Sequence, residues 1–356
     1  TIMKTKQVLA VMITSLFLIY GCSNNDDGVE ALTSKSTTLA KTNNGSVINQ
    51  EYPDAQAEVI ATFMAIRQSI IDGAGHGANT PEMDQLISFH DYGNIFTEFN
   101  YDPNGYGFLT DALGNEDHER ELFGENVINV QKFAAVEGTL KVAVYYGNVA
   151  NLTFTSDFVL DLADGTIGYP VNNLITLLFV KTKGDWKMVH EHHSPLKVKE
   201  LPIGVIPTHV PSDFDPSSAS NAQLDVLETF MAIRATILEN SGTEPDNMDE
   251  LISFHAYGPK FTEFNYDLDG NGYSFNSEEN EANERGLFGT HAVTNFAAKP
   301  GTLNIAVYHR NVANVTFISD FEVTGIGTIN NLITLLFVKT KGEWKLVHEH
   351  HSPENH

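Results

Sequence analysis

The chain has 356 residues with 21 Lys or Arg against 46 Asp or Glu, which sets its formal net charge at −25. Its length predicts two domains, since one domain usually has about 100–200 residues, and its one cysteine excludes an internal disulfide and a Cys-rich zinc site. The negative charge argues against nucleic acids and anionic membrane surfaces as partners, because both are polyanions that attract basic residues.

The N-terminal segment has a short basic start and an apolar run that ends at Tyr20, which is the pattern of a secretory signal over residues 1–21. The run is shorter than the about 20 apolar residues that span a membrane. Its last residues, Ile-Tyr-Gly-Cys, resemble the lipobox of bacterial lipoproteins, although Tyr20 is larger than the residue usual there. The resemblance implies cleavage before Cys22, lipidation of its thiol and, since Ser23 follows, sorting to the outer membrane. An ordinary secretory signal with an incidental cysteine is the alternative.

The rest of the chain is a tether followed by one unit repeated in tandem. Residues 22–53 are rich in Ser, Thr and Asn without hydrophobic periodicity, which predicts a flexible tether. Two later stretches of 24 residues, NNLITLLFVKTKGDWKMVHEHHSP and NNLITLLFVKTKGEWKLVHEHHSP, differ at two positions, and shorter motifs recur upstream in the same order. Copies this long indicate tandem domains at residues 54–195 and 221–353, joined by a linker at residues 196–220.

Each copy has helix signals first and strand signals afterwards. In the first copy, apolar residues recur at helical spacing from Val59 to Ile71, and Thr80-Pro81 starts a short second helix. Helices followed by antiparallel strands indicate an α+β domain. The later stretches are strand-like at residues 96–101, mostly helical at 116–135, and β-rich at 140–146, 149–160, 174–181 and 186–194.

The motif WKMVHEHHS, which follows an apolar strand and a Lys-Gly turn, resembles the end of a SnoaL-like domain. These domains belong to the nuclear transport factor 2-like superfamily, with kinase association domains, ketosteroid isomerases and polyketide cyclases. The resemblance covers both copies and implies two tandem cone-shaped α+β domains, each a curved antiparallel β-sheet wrapped by N-terminal α-helices around a pocket. Members often dimerise sheet to sheet, so it also implies an intramolecular pseudo-dimer. The fold hosts too many functions to name a reaction.

The last strand of each copy is the richest in candidate side chains. Alternation puts Trp186, His190 and His192 on one face and Glu191 and His193 on the other. The counterparts of the first face in the second copy are Trp344, His348 and His350. The resemblance implies that this face lies at the mouth of the cone, where imidazoles act as acids and bases near neutral pH. The alternatives are hydrogen bonds to loop carbonyls, an inter-domain contact, or zinc ligation by each histidine pair with a third ligand.

Four more residues are candidates for the pocket or for the third zinc ligand: His90, Glu98, His255 and Glu263. Each glutamate lies in the strand-like motif Phe-Thr-Glu-Phe, where alternation leaves it facing solvent or the pocket.

Arg120 and Arg285 stand out because the chain has few basic residues. A guanidinium in the pocket would bind a carboxylate ligand. The alternative is a local ion pair with neighbouring glutamates such as Glu116.

A calcium-loop spacing occurs in the second copy only. Asp267, Asp269 and Asn271, followed by Tyr273 and Glu278, fit D-x-D-x-N-G with Glu at the twelfth place. No helix signal precedes the loop, so the alternative is a Gly/Asn/Asp turn between a strand and a helix.

These observations predict a lipid-anchored protein of the cell envelope whose two domains bind a small organic ligand or an envelope protein. No cofactor is required by this function, with Ca²⁺ in the second domain as the possible exception. The competing hypothesis is a cofactor-independent isomerase, cyclase or lyase. In that enzyme the paired histidines of the last strands act as bases, and Arg120 or Arg285 stabilises a developing oxyanion.

Overall fold

The computed structural model describes residues 51–197, 209–267 and 269–354. The predicted signal sequence, Cys22 and most of the predicted tether lie outside these residues. None of the helices in the described ranges is long and apolar enough to cross a membrane.

The first repeat contains three α-helices and eight strands. The helices are α1 (Pro53–Gly73), α2 (Pro81–Ile87) and α3 (Ala112–Glu121), which continues into one π-helical turn, Leu122–Asn126. The strands are β1 (Thr97–Tyr101), β2 (Gly107–Thr110), β3 (Val127–Ala135), β4 (Lys141–Tyr145), β5 (Val149–Leu162), β6 (Tyr169–Val171), β7 (Asn173–Thr182) and β8 (Asp185–Pro195).

The second repeat has the same element order. Its helices are α4 (Asn221–Asn240), a 3-10 turn (Pro245–Met248), α5 (Asp249–Ser253) and α6 (Ser277–Thr290). Its strands are β9 (Thr262–Tyr266), β10 (Gly272–Phe275), β11 (Val293–Ala298), β12 (Asn304–Tyr308), β13 (Val312–Val323), β14 (Gly327–Ile329), β15 (Asn331–Thr340) and β16 (Glu343–Pro353).

The local sequence explains how the first two helices form. In α1, Val59, Phe63, Ile66 and Ile70 recur at helical spacing and are all buried against the sheet. The side chain of Thr80 caps α2 by accepting a hydrogen bond from the backbone N–H of Met83.

The predicted helix at residues 116–135 is wrong over its second half, where β3 begins at Val127. The buried residues Val127, Val130 and Phe133 stand three apart, which imitates a helical period. In the structure two register shifts against β5 interrupt the usual alternation of two. Each bulge adds one residue to the strand, so apolar residues spaced by three all face the core.

Each repeat is built on one open, curved, eight-stranded sheet. In the first, the strand order is β2-β1-β8-β7-β5-β3, and β4 and β6 also pair with β5. The long strand β5 pairs with β4 and β7 through its first half and with β3 and β6 through its second half. Only β1 and β8 pair in parallel among the described strands of this sheet, and the second repeat has the same topology.

The two sheets pack against each other through the faces that point away from their helices. Leu178 and Val189 of the first repeat pack in one buried cluster with Leu336 and Val347 of the second. Because α1 and α4 cover the opposite faces, β7 and β15 are buried on both sides. This explains why their sequence is a continuous apolar run.

The edges of the two sheets also exchange contacts reciprocally. The backbone N–H of Gly107 donates to the carbonyl of Glu354, and that of Gly272 donates to the carbonyl of Leu196, both at 2.7 Å. The hydroxyl of Tyr101 donates to Pro353, just as that of Tyr266 donates to Pro195. The C-terminal end of each repeat thus contacts the hairpin formed by the first two strands of the other repeat.

A β-bulge in the last strand decides which side chains reach this interface. Leu178 pairs with His190 but the next residue, Phe179, pairs with Met188, so Val189 is the extra residue in β8. Trp186 and Met188 point into the core, whereas His190 and His192 point at the other repeat. The alternation rule placed Trp186 and these histidines on one face, and the bulge is the reason that they lie on opposite faces.

The two histidines of β8 lie in a continuous hydrogen-bond chain across the interface. His190 Nδ1–H donates to Thr97, whose carbonyl and hydroxyl oxygens are 3.0 and 2.9 Å away. His190 Nε2 accepts from the hydroxyl of Thr334 at 3.0 Å, and that oxygen accepts from His192 Nδ1–H at 2.9 Å. His192 Nε2 accepts from Ser352 at 2.8 Å. We assign these tautomers from the partners, since only neutral rings satisfy every atom of the chain in this way.

The second repeat repeats this chain in the opposite direction. His348 Nδ1 faces Thr262, and Thr176 bridges His348 Nε2 and His350 Nδ1 at 3.0 Å each. Ser194 donates to His350 Nε2 at 2.7 Å. The rings of His192 and His350 stack with centroids 3.6 Å apart, which joins the two chains. All four histidines are completely buried.

We expect the four interface histidines to weaken the folded state as the pH falls from 6.5 to 5. Burial lowers the pKa of His190 to about 4 and of His348 to about 3, and it holds the pKa values of His192 and His350 well below their ordinary range. The unfolded chain therefore binds more protons over this interval, and each histidine contributes up to about 2 kcal/mol of lost stability at pH 5. Other groups also titrate between these pH values, so the contribution of the histidines is measured as the difference in Tm from a variant that lacks two of them.

The double variant His190→Gln/His348→Gln is the matched control, because glutamine keeps polar atoms but does not titrate there. As the pH falls, the Tm of the unsubstituted protein should fall relative to that of this variant, because the variant lacks two of the four histidines and the other titrating groups are common to both. A difference in Tm between the two proteins that stays constant from pH 6.5 to pH 5 would contradict this account.

Candidate functional site

The concave face of the second sheet encloses a cavity of about 570 Å³ under α4 and α6. This volume lies in the range typical of small-molecule sites. Helix α4 presents Phe230, Ile233 and Ile237 to it from one face, because these residues are spaced by three and four. The sheet and the other elements add apolar side chains that include Phe288, Phe296, Phe317, Phe321, Ile333 and Leu335.

Two glutamates from neighbouring strands form the polar end of this cavity. Glu263 of β9 and Glu349 of β16 are direct partners in the parallel pair of strands, so their side chains project side by side from the same face. Asn280 of α6 donates to both carboxylates, at 2.8 Å to Glu263 and 3.4 Å to Glu349. Asn265 adds a bond of 2.7 Å to Glu263.

Two histidines contact Glu349 rather than Glu263. His255 Nε2 lies 3.1 Å from one oxygen of Glu349, and His351 Nε2 lies 3.1 Å from the other. Burial opposes the charge of Glu349, but these two hydrogen bonds outweigh it and lower its pKa well below the ordinary range. Burial likewise opposes the charge of His351, but its bond to Glu349 raises its pKa. Glu349 and His351 therefore each favour the charged form of the other across a contact in which Glu349 is buried and His351 is partly exposed.

Among the described residues, no histidine, lysine or arginine forms an ion pair with Glu263 or Glu284. Burial, reinforced by the charge of Glu349, raises the pKa of Glu263 to about 7. Burial raises the pKa of Glu284 well above its ordinary value, and the charges of Glu349 and Glu263 add to this. A carboxyl group with a pKa close to 7 is able to accept or release a proton at neutral pH.

The first repeat contains the same acid pair with one additional contact. Glu98 and Glu191 are direct partners in β1 and β8, and His90 and His193 contact Glu191 at 3.1 and 3.0 Å. His118 Nδ1 lies 3.4 Å from Glu98 Oε1, and both side chains are buried. Burial would raise the pKa of Glu98, but the nearby His118 reverses this and lowers it.

One residue of α3, and its counterpart in α6, distinguishes the two sites. The sequence Asn-Glu-Asp-His-Glu-Arg of α3 corresponds to Asn-Glu-Ala-Asn-Glu-Arg of α6, so Asn283 stands where the first repeat has His118. Asn283 lines the cavity. The second repeat therefore has a neutral amide at the position from which an imidazole contacts Glu98 in the first.

The predicted histidine bases lie elsewhere. His190, His192, His348 and His350 are in the inter-domain hydrogen-bond chains described above, with every ring nitrogen in use. The neighbours that sequence reasoning left aside, His193 and His351, are those that contact the acid pair.

The two arginines form local ion pairs, which was the alternative to a guanidinium in the pocket. Arg120 contacts Glu116 and Asp84 at 2.9 Å each. Arg285 contacts Glu281 at 2.9 Å and Asp249 at 2.8 Å, and it does not line the cavity. Arg120 thus connects α3 to α2, and Arg285 connects α6 to α5.

The remaining pocket candidates divide between the cavity and the core. His255 and Glu263 line the cavity of the second repeat, and His90 and Glu98 occupy the equivalent places in the first. Trp186 and Trp344 are buried in the two domain cores.

The predicted calcium loop forms a hairpin turn between β9 and β10. Asp267 accepts hydrogen bonds from the backbone of Asp269 and from the backbone and side chain of Asn271. Tyr273 lies in β10, and Glu278 lies beyond that strand in the first turn of α6. Among the described residues, no group of three or more His, Cys, Asp or Glu side chains is placed to hold a metal ion. Calcium binding stays a prediction from the spacing alone.

Sequence reasoning missed Glu284, Asn280 and their counterparts Glu119 and Asn115. A signal was present, because Asn280 and Glu284 are four residues apart on one helix face and the same pair recurs in the other repeat. The roles of Glu349 and His351 had no comparable signal, since the bulge that turns them into the cavity is not visible in the sequence.

Solved structures with a similar fold each correspond to about two fifths of the chain. A nuclear transport factor 2-like superfamily protein from Salmonella enterica serovar Typhimurium is 14% identical, with a TM-score of 0.33 over 43% of this chain and 98% of its own. One from Cytophaga hutchinsonii is 12% identical, with a TM-score of 0.30 over 38% and 99%. The CamKII hub homology domain from Chlamydomonas reinhardtii is 19% identical, with a TM-score of 0.31 over 40% and 99%.

The sequence comparison is more specific. No curated protein sequence matches the chain. The profile of the SnoaL-like domain matches residues 83–197 and 283–355, which together are more than half of the chain and fall in both repeats. The chain therefore belongs to the family of SnoaL-like domain proteins, in which it is a tandem member.

Proposed function

We propose that the second domain binds a small organic molecule in its cavity. The observation that carries this proposal is the combination of an apolar volume of about 570 Å³ with a few polar groups gathered at one end. Such a site buries the body of a ligand by the hydrophobic effect and orients it by hydrogen bonds. Glu263 is the group best placed to contact the ligand, because its carboxyl oxygens have only amide donors around them.

Proton transfer on the bound molecule is the second candidate function. Glu263, with a pKa of about 7, supports it as the general base, and Glu284, whose pKa burial raises well above the ordinary value, supports it as a hydrogen-bond donor to a developing oxyanion. These two carboxyl groups replace the interface histidines and the arginines in the roles that the sequence predicted for an isomerase, cyclase or lyase.

The location of the protein is proposed from its N-terminal sequence. The apolar run and the Ile-Tyr-Gly-Cys motif support lipidation at Cys22 and attachment to the outer membrane by acyl chains. A chain with a net charge of −25 needs such an anchor, because anionic lipids repel it.

Filling the cavity should abolish ligand binding. Ile329 lines the cavity and is only partly buried, so Ile329→Trp places a large side chain there with little strain on the core. We expect the neutral fluorescent probe N-phenyl-1-naphthylamine to bind the unsubstituted protein and to bind this variant at least about tenfold more weakly. Fluorescence titration measures both affinities.

The matched control is Val171→Trp, which changes the corresponding position of the first repeat. Circular dichroism and Tm should confirm that both variants fold. Equal probe affinity in Ile329→Trp and in the unsubstituted protein would exclude the cavity as the binding site.

The two glutamates should titrate in different pH ranges. In carbon-13 NMR spectra of protein labelled at glutamate carboxyl groups, the signal of Glu263 should move with a midpoint of about pH 7, because burial and Glu349 disfavour its charge. The signal of Glu98 should move below the ordinary glutamate range, because His118 is beside it. Glu263→Gln and Glu98→Gln assign the two signals. A midpoint below 5 for Glu263 would remove it as a base for neutral pH.

Lipidation is tested in a bacterial host that produces the full chain. Radioactive palmitate should label the protein, and Cys22→Ser should abolish the label and release the protein from the membrane fraction, since the thiol is the attachment point. Labelling that persists in Cys22→Ser would contradict the proposed anchor.

A further inference from the structure

We propose that the cavity of the second domain is selective for an apolar molecule that carries a protonated nitrogen, with the N–H group bound to Glu263. The inference rests on the proposed function, since it names the class of molecule that this cavity takes. It comes from a comparison of the two repeats, which keep the same pair of carboxylates but differ in what faces the first of them.

In the first repeat, a nitrogen of the protein itself, His118 Nδ1, lies next to the corresponding carboxylate, Glu98. Glu98 Oε1 accepts from Asn100 Nδ2 at 2.7 Å and lies 3.4 Å from His118 Nδ1, and Glu98 Oε2 accepts from Asn115 at 2.9 Å. The ring of His118 lies beside that of Phe108, with centroids 6.2 Å apart. A basic nitrogen heterocycle next to an aromatic ring therefore occupies the space in front of this carboxylate.

In the second repeat the same amide contacts remain and the heterocycle is missing. Asn265 and Asn280 donate to Glu263 at 2.7 and 2.8 Å, as their counterparts do to Glu98. Asn283 replaces His118 and lines the cavity. No Lys, Arg or His of the described residues forms an ion pair with Glu263. The position that the imidazole fills in the first repeat thus belongs to the ligand space in the second.

The charges around this space favour a cation. Among the described lining residues, Glu349 and Asp267 have lowered pKa values and carry negative charge, Glu263 ionises near pH 7, and no Lys or Arg is present. Two histidines line the cavity and both contact Glu349. A ligand carboxylate or phosphate would enter an acidic site with no free donor cation, so Coulomb repulsion disfavours it.

The apolar wall suits the rest of such a molecule. Phe230, Phe288, Phe296, Phe317 and Phe321 surround the cavity with aromatic rings. Ring faces attract alkylammonium groups and pack against apolar bodies. A bound ammonium would also restore the charged form of Glu263, which burial disfavours in the free protein.

The test compares three probes with one skeleton: 4-phenylbutylamine, 4-phenylbutanol and 4-phenylbutyrate. Calorimetric titration of the full chain lacking its signal sequence, at pH 7, gives the three affinities. We expect the amine to bind at least tenfold more tightly than the alcohol and the acid to bind most weakly. Glu263→Gln should remove the tenfold preference for the amine over the alcohol, because glutamine keeps hydrogen-bonding atoms but carries no negative charge.

Asn283→His is the sharper variant, because it installs the imidazole that the first repeat already accommodates. It should lower the affinity for the amine at least tenfold by occupying Glu263. The matched control His118→Asn makes the reverse change in the first repeat and should leave amine binding by the second unchanged. The Tm of each variant establishes that it is folded.

The outcomes separate the two proposals. An alcohol that binds as tightly as the amine, or an acid that binds most tightly, overturns the selectivity for a protonated nitrogen and leaves ligand binding standing. Amine binding that is the same in Asn283→His and in the unsubstituted protein also overturns it. Failure of all three probes and of N-phenyl-1-naphthylamine to bind would overturn the proposed function itself.

Discussion

The bulge at Val189, with its counterpart at Val347, is the constraint on which the rest of the structure depends. A strand alternates its side chains between two faces, and one extra residue reverses the assignment of everything that follows. Because of it, the first and third residues of the His-Glu-His-His motif point at the other repeat, while the glutamate and the last histidine point into the cone. One short motif thereby supplies both the interface and the polar end of the site.

The interface histidines show how a buried polar layer is tolerated between two apolar sheets. Each ring nitrogen has a partner. The hydroxyls of Thr176 and Thr334 each bridge two histidine rings of the opposite repeat. Unpaired polar atoms would cost the interface several kcal/mol, whereas a fully satisfied chain also fixes the register of the two domains. This reciprocity requires one threonine and one histidine pair in each terminal hairpin, and both hairpins contain them.

On the cavity face, by contrast, some of the carboxyl groups have no cationic partner among the described residues. Glu349 has two histidines and stays charged, whereas Glu263 is buried, Glu284 is partly buried, and neither forms an ion pair with another described residue. A folded protein retains such unfavourable burial where function requires it, and perturbed carboxyl groups in a cavity are typical of sites that bind or react. In the first repeat the burial of Glu98 is less unfavourable, because His118 lies next to its carboxylate. The duplicated domains are thus alike in fold and different in chemistry.

The sequence by itself determined the tandem repeat, the α+β class, the family and the start of the second helix, because these depend on periodicity and on local motifs. It also named Glu263 and His255 of the acid site, but not the roles of Glu349, His351, Asn280 and Glu284. Only the tertiary structure decided which face of β8 and β16 each histidine occupies, and that Val127–Ala135 is a strand, because bulges arise from cross-strand pairing. The tertiary structure likewise decided the protonation of the glutamates, since burial and neighbouring charges act between residues that are far apart in the chain.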